Sequence, residues 1–209
     1  MNSVKNITVI AIFIFAVSCK KEKQNNPDII YTSINKTLTI ATANEKFDLD
    51  INNDEIKDIR FVTNNLRYNN GDLSNVDNIF ITPLTDSIEI VDRQLSIPWK
   101  NNSYSFFVVF NFYENYLIEE DAPSGCFWRN PVRPSAAIEL KIKDTITNDS
   151  TYFKTFTEAS NTYIAIRIKN NNFYYGWIRI STSNDSKSLT IYDAAISKQS
   201  NKFIKTGER

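Results

Sequence analysis

Tyr163-Ile-Ala-Ile-Arg-Ile-Lys169, then Asn170-Asn-Asn172, then Phe173-Tyr-Tyr-Gly-Trp-Ile-Arg-Ile-Ser181, then a polar turn and Leu189-Thr-Ile-Tyr-Asp-Ala-Ala-Ile196: this stretch decides the fold. Three alternating apolar runs separated by turn residues spell an antiparallel β-meander. Ile164, Ile166 and Ile168 share one face, with Tyr163, Arg167 and Lys169 on the other. In the next run Phe173, Tyr175 and Trp177 share a face, and Tyr174, Ile178 and Ile180 share the opposite one. Gly176 stands in mid-strand, where glycine weakens a strand unless a bulge or a bulky neighbour needs the room.

Working outward, the same signature recurs at short intervals. Ile29–Tyr31, Thr37–Ala41, Ile59–Thr63, Ile79–Ile81, Ile88–Val91, Ile138–Ile142 and, more weakly, Tyr152–Phe156 read as strands. Tyr104–Phe112 is the most apolar internal run and predicts a central strand buried on both faces. Pro83 and Pro98 mark breaks or edges. About ten short strands with no helical period between them predict an all-β fold, a single antiparallel β-sandwich of jelly-roll type over residues 28–209. Glycine is scarce, with 4 in the 209 residues, so asparagine is expected in the left-handed turn positions.

Composition excludes several function classes. Lys plus Arg number 24 and Asp plus Glu number 24, so no basic excess attracts nucleic acid. The chain has no histidine, which removes Ser-His-Asp and Cys-His catalysis and imidazole zinc sites. Its two cysteines are Cys19 and Cys126. With Cys19 committed elsewhere, no disulfide is expected, and Cys126 reads as a buried inert thiol.

The N-terminus reads as an address. Lys5 is the only charge before an apolar run, Ile7 to Val17, of roughly 11 residues, in the range of a secretory core and short of the ~20 of a spanning helix. Ala16-Val17-Ser18-Cys19 follows, and it resembles a bacterial lipoprotein lipobox, with Ala16 where leucine is usual. The resemblance implies a signal peptide over residues 1–18, cleavage before Cys19 and acylation of that cysteine. Residues 19–27, rich in lysine, resemble the charged stems of Bacteroidota lipoproteins and read as a tether. No Asp follows Cys19, so the expected location is the cell envelope, at the outer membrane.

A second resemblance lies at the C-terminal end. Tyr175-Gly176-Trp177-Ile178-Arg179 with Tyr192-Asp193-Ala194-Ala195 resembles a module of exported bacterial β-proteins, including uncharacterised lipoproteins and PEP-CTERM-sorted proteins. Ala194 and Ile196 stand where those carry aromatics. The resemblance implies a fold and an address and carries no assigned chemistry.

Two stretches carry candidate chemistry. Asp50-x-Asn52-x-Asp54-x-x-x-Asp58 places oxygen side chains at alternate positions, and with a carbonyl at Ile56 they form a candidate calcium shell. The stretch resembles the calcium loops of exported bacterial proteins, with Glu55 where those have glycine. The other reading is a solvated Asx-turn loop. The segment Tyr113–Pro134 is too long for a tight turn and carries Glu119, Glu120 and Asp121 near Trp128. It reads as a glycan-binding surface aided by Trp128 or Trp99, as an acid pair for weak glycoside hydrolysis, or as a surface loop pinned by Trp128. The leading expectation is a non-enzymatic, lipid-anchored binding or structural module, its partners the membrane and a glycan or another envelope protein.

Overall fold

A computed structural model describes residues 26–40, 44–66, 75–99, 102–129, 136–143, 150–154, 161–184 and 187–209. The signal peptide, Cys19 and most of the tether lie outside the described residues, as do Pro131 and Pro134. In chain order the strands are β1 (Ile29–Thr39), β2 (Lys46–Leu49), β3 (Ile59–Leu66), β4 (Asn75–Pro83), β5 (Ile88–Trp99), β6 (Asn102–Val109), β7 (Leu117–Ile118), β8 (Phe127–Arg129), β9 (Ala136–Lys143), β10 (Ser150–Lys154), β11 (Thr162–Asn170), β12 (Asn172–Thr182), β13 (Ser188–Ser197) and β14 (Ile204–Lys205). No helix occurs among the described residues, so the fold is all-β as its composition predicts.

Twelve strands form one continuous mixed sheet, with the main path β1-β13-β12-β11-β5-β6-β9-β4-β3-β2. It curls until it is nearly closed into a barrel, and a jelly-roll order is not evident in it. β7 and β14 form a separate two-stranded ribbon. Among the described residues the one parallel contact in the large sheet joins β6 to β9 at Val108 and Ala137. The path ends, β1 and β2, are joined by a side chain: the Glu45 carboxylate takes Lys36 Nζ at 2.8 Å and the Thr39 N–H at 3.0 Å.

The antiparallel meander forms as expected, with one register shift between β12 and β13 at Arg179 and Ile180. Ile164 pairs with Ile178 and Ala165 with Trp177, while Trp177 also pairs with Ala195. The inner face is aliphatic: Leu38, Ile59, Ile79, Ile90, Ile164, Ile166, Ile178, Ile180 and Ile191 are buried together. The outer face of the same strands is buried as well, by a second cluster of Tyr163, Ala165, Tyr175, Trp177 and Ala195 with Phe112, Ile118, Cys126 and Ile204. Both faces of the meander therefore exclude water, each fully buried large apolar side chain contributing about 1.5–3 kcal/mol.

Asparagine does take the turn positions. Eight described non-glycine residues have positive φ, and all but Glu55 are asparagine. One of them, Asn35 at φ 56°, sits where the β1–β13 register shifts between Ser33 and Lys36. That bulge joins the two short strands expected at Ile29–Tyr31 and Thr37–Ala41 into one.

The expectation for Tyr104–Phe112 needs correction. Val108 and Val109 are buried, but Ser103 and Ser105 are exposed, and Ser105 Oγ meets Ser96 Oγ at 3.0 Å on the surface. β5 pairs with β11 and β8 only up to Asp92, and β6 touches β9 only at Val108. Among the described residues the β5–β6 hairpin has no further ladder partner before that point, and the exposed Ser105 gives the run one wet face.

Candidate functional site

The Asp50–Asp58 loop is built around its own backbone. Asp54 N–H is shared by Asp50 Oδ1 at 3.2 Å and Asn52 Oδ1 at 3.1 Å, and Glu55 N–H reaches Asp50 Oδ2 at 2.8 Å. Asp54 Oδ1 accepts the Ile56 N–H at 2.9 Å, and its Oδ2 takes the Asn52 amide at 2.9 Å. Three of the expected side chains thus converge on one turn. Ile56 points its side chain into solvent. Glu55 adopts φ 71°, the left-handed conformation that glycine takes in the loops it resembles. The departure from the pattern is accommodated in the backbone.

Asp58 is set apart by burial. Only 4% of it is exposed, and its Oδ2 accepts the Ile51 N–H at 2.8 Å. Burial, reinforced by the neighbouring Asp54 and Asp50 charges, pushes its pKa up to about 6. The native state therefore holds the proton more tightly than the unfolded chain does. In metal-free buffer the Asp58 contribution is expected to fall as pH rises from about 4 to 6 and then level off, a loss of about 3 kcal/mol. Asp58→Asn keeps an acceptor for Ile51 and is expected to remove that limb. Urea melts of both proteins in EDTA from pH 4 to 7 measure the difference, and parallel profiles contradict it.

Of the three readings of the 113–134 segment, the described geometry is that of a surface loop pinned by Trp128. Glu119, Glu120 and Asp121 are exposed, while Trp128 is half-buried against the outer core. The Arg167 guanidinium lies 4.5 Å from the Trp128 ring and 4.1 Å from the Phe173 ring. Arg167 also pairs with Glu89 and donates to the Glu120 carbonyl at 3.1 Å. Trp128 therefore packs against a cation from the sheet, and β8 adds to β5 through Val91 and Trp128. Arg129 and Asp92, both buried, form an ion pair at 3.1 Å. The Cys126 thiol is buried and its pKa is raised by that burial, which disfavours a nucleophilic thiolate. The Trp99 side chain lies outside the described residues.

Sequence reasoning did not find the pocket. A cavity of about 270 Å³ opens where the β11–β12 turn meets the start of β1 and the end of β13. Its apolar wall is Ile30, Ile168, Tyr174 and Ile196, and its polar rim is Asn52, Asn170, Ser197 and Lys198. Asn52 belongs to the acidic loop, so that loop supplies part of the rim. The residues come from four separated segments, and no local pattern links them. Among the described residues no three His, Cys, Asp or Glu side chains group as a metal cluster.

A comparison with protein-family models, curated proteins and solved structures gives no match to this chain.

Proposed function

We propose that this chain is a lipid-anchored protein of the cell envelope, held at the outer membrane through Cys19, whose barrel binds a small ligand without catalysing a reaction. The observation that carries the reading is the pocket: an apolar wall with a hydrogen-bonding rim and no carboxylate in its lining. Such a site grips an apolar group and orients one polar end, which is how small-ligand sites work generally. At about 270 Å³ it admits an aromatic ring or the end of a short chain. The test uses an anionic naphthalene sulfonate dye as probe. Its fluorescence is expected to saturate at one site per chain and to be lost in Asn170→Trp, which fills the rim from an exposed position. Equal fluorescence in the variant, or none in the parent, counts against the pocket.

The acidic loop suits calcium as a structural ion. Its donors are hard oxygens, Asp50 Oδ1 and Asn52 Oδ1 meet at the Asp54 N–H, and Glu55 has the positive φ that such loops favour. The Ile56 carbonyl and Asp58 complete the donor set. Calcium there fixes Asn52 and so one side of the pocket rim. At 100 times its dissociation constant an ion bound only to the native state adds about 2.7 kcal/mol, a melting shift of about 5–10 °C. Melting in EDTA is expected to fall by that amount relative to calcium, and Asp54→Ala is expected to abolish the difference. Superimposable melts with and without calcium exclude the site.

A further inference from the structure

An exposed apolar patch lies on the side of the barrel covered by the 110–129 segment and the C-terminal tail. Tyr113 is 81% exposed, Leu117 41% and Tyr116 39%; Phe203, two residues before Lys205, is 43% exposed and packs edge-on to Tyr175. Pairing in the small ribbon explains their direction. Ile118 and Ile204 face each other and are buried, so Leu117 and Lys205 stand opposite each other on the outer side. The tyrosines are fixed beside them by Thr206. Its hydroxyl donates to the Tyr113 carbonyl and accepts the Tyr116 N–H at 2.9 Å, and its own N–H reaches the Tyr116 carbonyl at 2.9 Å. A rigid backbone thus presents large apolar side chains to solvent.

The chain enters the domain at the same place. Asn26 N–H donates to the Arg209 carbonyl, and the Asn26 side chain donates to the Glu208 carboxylate at 3.1 Å. Glu208 in turn accepts the Lys205 N–H at 3.0 Å, and Lys205 is the cross-strand partner of Leu117. Cys19 is seven residues before Asn26. Seven residues reach at most about 25 Å when fully extended. A bilayer holding Cys19 therefore lies within that reach of Asn26, which is linked to the patch through Glu208 and Lys205.

Resting on the lipid-anchor reading above, we infer that Tyr113, Tyr116, Leu117 and Phe203, with Lys205 among them, dock against the lipid–water interface of the membrane that holds the anchor. Tyrosine suits that depth because its ring is apolar and its hydroxyl stays wet. Lys205 can lay its stem along the patch and bring its ammonium to a lipid phosphate. Glu114, Glu119, Glu120 and Asp121 are exposed on the same segment, so zwitterionic headgroups fit better than anionic ones. The patch is small, and the anchor supplies the local concentration that lets it act.

Hydroxyl-radical footprinting of the full acylated chain in phosphatidylcholine–phosphatidylethanolamine vesicles tests this. Oxidation of Tyr113, Tyr116 and Leu117 is expected to be several-fold slower than in a Cys19→Ser chain free in the same buffer. Ile56, exposed on the acidic loop, is expected to react equally in both. Leu117→Glu, at an exposed position, is expected to restore oxidation of both tyrosines. Equal oxidation on and off vesicles, with mass spectrometry showing Cys19 acylated, overturns the docking and leaves the anchor standing. Protection that disappears when the protein is diluted in the bilayer overturns it in favour of contact between copies. A mature chain whose Cys19 carries no acyl group overturns the anchor and the docking together.

Discussion

Replacing Asp193 with alanine is expected to destabilise the domain by about 2–3 kcal/mol, because it removes the buried charged acceptor shared by Arg179, Tyr31 and Arg209. Asp193 is 1% exposed in the middle of β13. Arg179, its cross-strand partner on β12, grips it with two donors, Nε to Oδ1 at 2.8 Å and Nη2 to Oδ2. Tyr31 of β1 donates its hydroxyl to the same carboxylate at 2.8 Å, and Arg209 reaches it at 3.4 Å. One carboxylate therefore ties three strands and the C-terminus together. Its hydrogen bonds hold the Arg179 pKa up, and burial, reinforced by this carboxylate, raises that of Tyr31. Arg209 is 30% exposed at its side chain and can turn toward water, which moderates the loss. Asp193→Asn keeps an acceptor and drops the charge, so it is expected to fall between parent and alanine. Urea denaturation at pH 7 measures all three, and a loss under about 1 kcal/mol would reduce the network to the worth of a surface salt bridge.

The pairing of Arg179 with Asp193 was not legible in the sequence. Strict alternation puts Asp193 on the side of Leu189 and Ile191, and only the register shift at Tyr192, which also moves Ala194 and Ile196 to the inner face, brings it opposite Arg179. The sorting of Ile164, Ile166, Ile168, Ile178 and Ile180 to one side was legible, because β11 and β12 keep a period of two. Periodicity tells which residues share a face, but it does not tell what covers that face. Tyr163, Tyr175 and Trp177 are buried by residues 110–129 and 198–209, which are far from them in sequence. Aromatic residues on the side opposite the isoleucines were the available signal for that second core. The same limit applies to Trp128. Its composition beside acidic residues suggested a sugar platform, while its stacking partner, Arg167, comes from another strand. In Tyr104–Phe112 the apolar run was legible, but where the neighbouring strands stop pairing was not. In the acidic loop the spacing was legible, and so was the unusual Glu55. That the backbone would accept φ 71° there follows from the turn as a whole.

Gly176→Ala separates two opposed effects at one position. In an unconstrained strand, alanine for glycine reduces the freedom of the unfolded chain and stabilises by about 0.4–1 kcal/mol. Here a Cβ would lie 2.5 Å from the Ala195 carbonyl oxygen and 3.2 Å from Ile196 Cα. Both are backbone atoms, so no side-chain rotation relieves the clash. β12 and β13 must separate, although Trp177, fully buried next in the chain, is held between Ala165 and Ala195. The expected result is a loss of about 1–3 kcal/mol, the usual range for overpacking, in place of the small gain. The sign alone decides: a variant as stable as the parent shows that the strands are not that close. The same separation would pull Asp193 from Arg179, since the two substitutions act on one strand pair. Gly176→Ala combined with Asp193→Ala is therefore expected to destabilise by clearly less than the sum of the two alone. Strict additivity in urea melts would mean that the close approach at Gly176 and the carboxylate at Asp193 hold the meander independently.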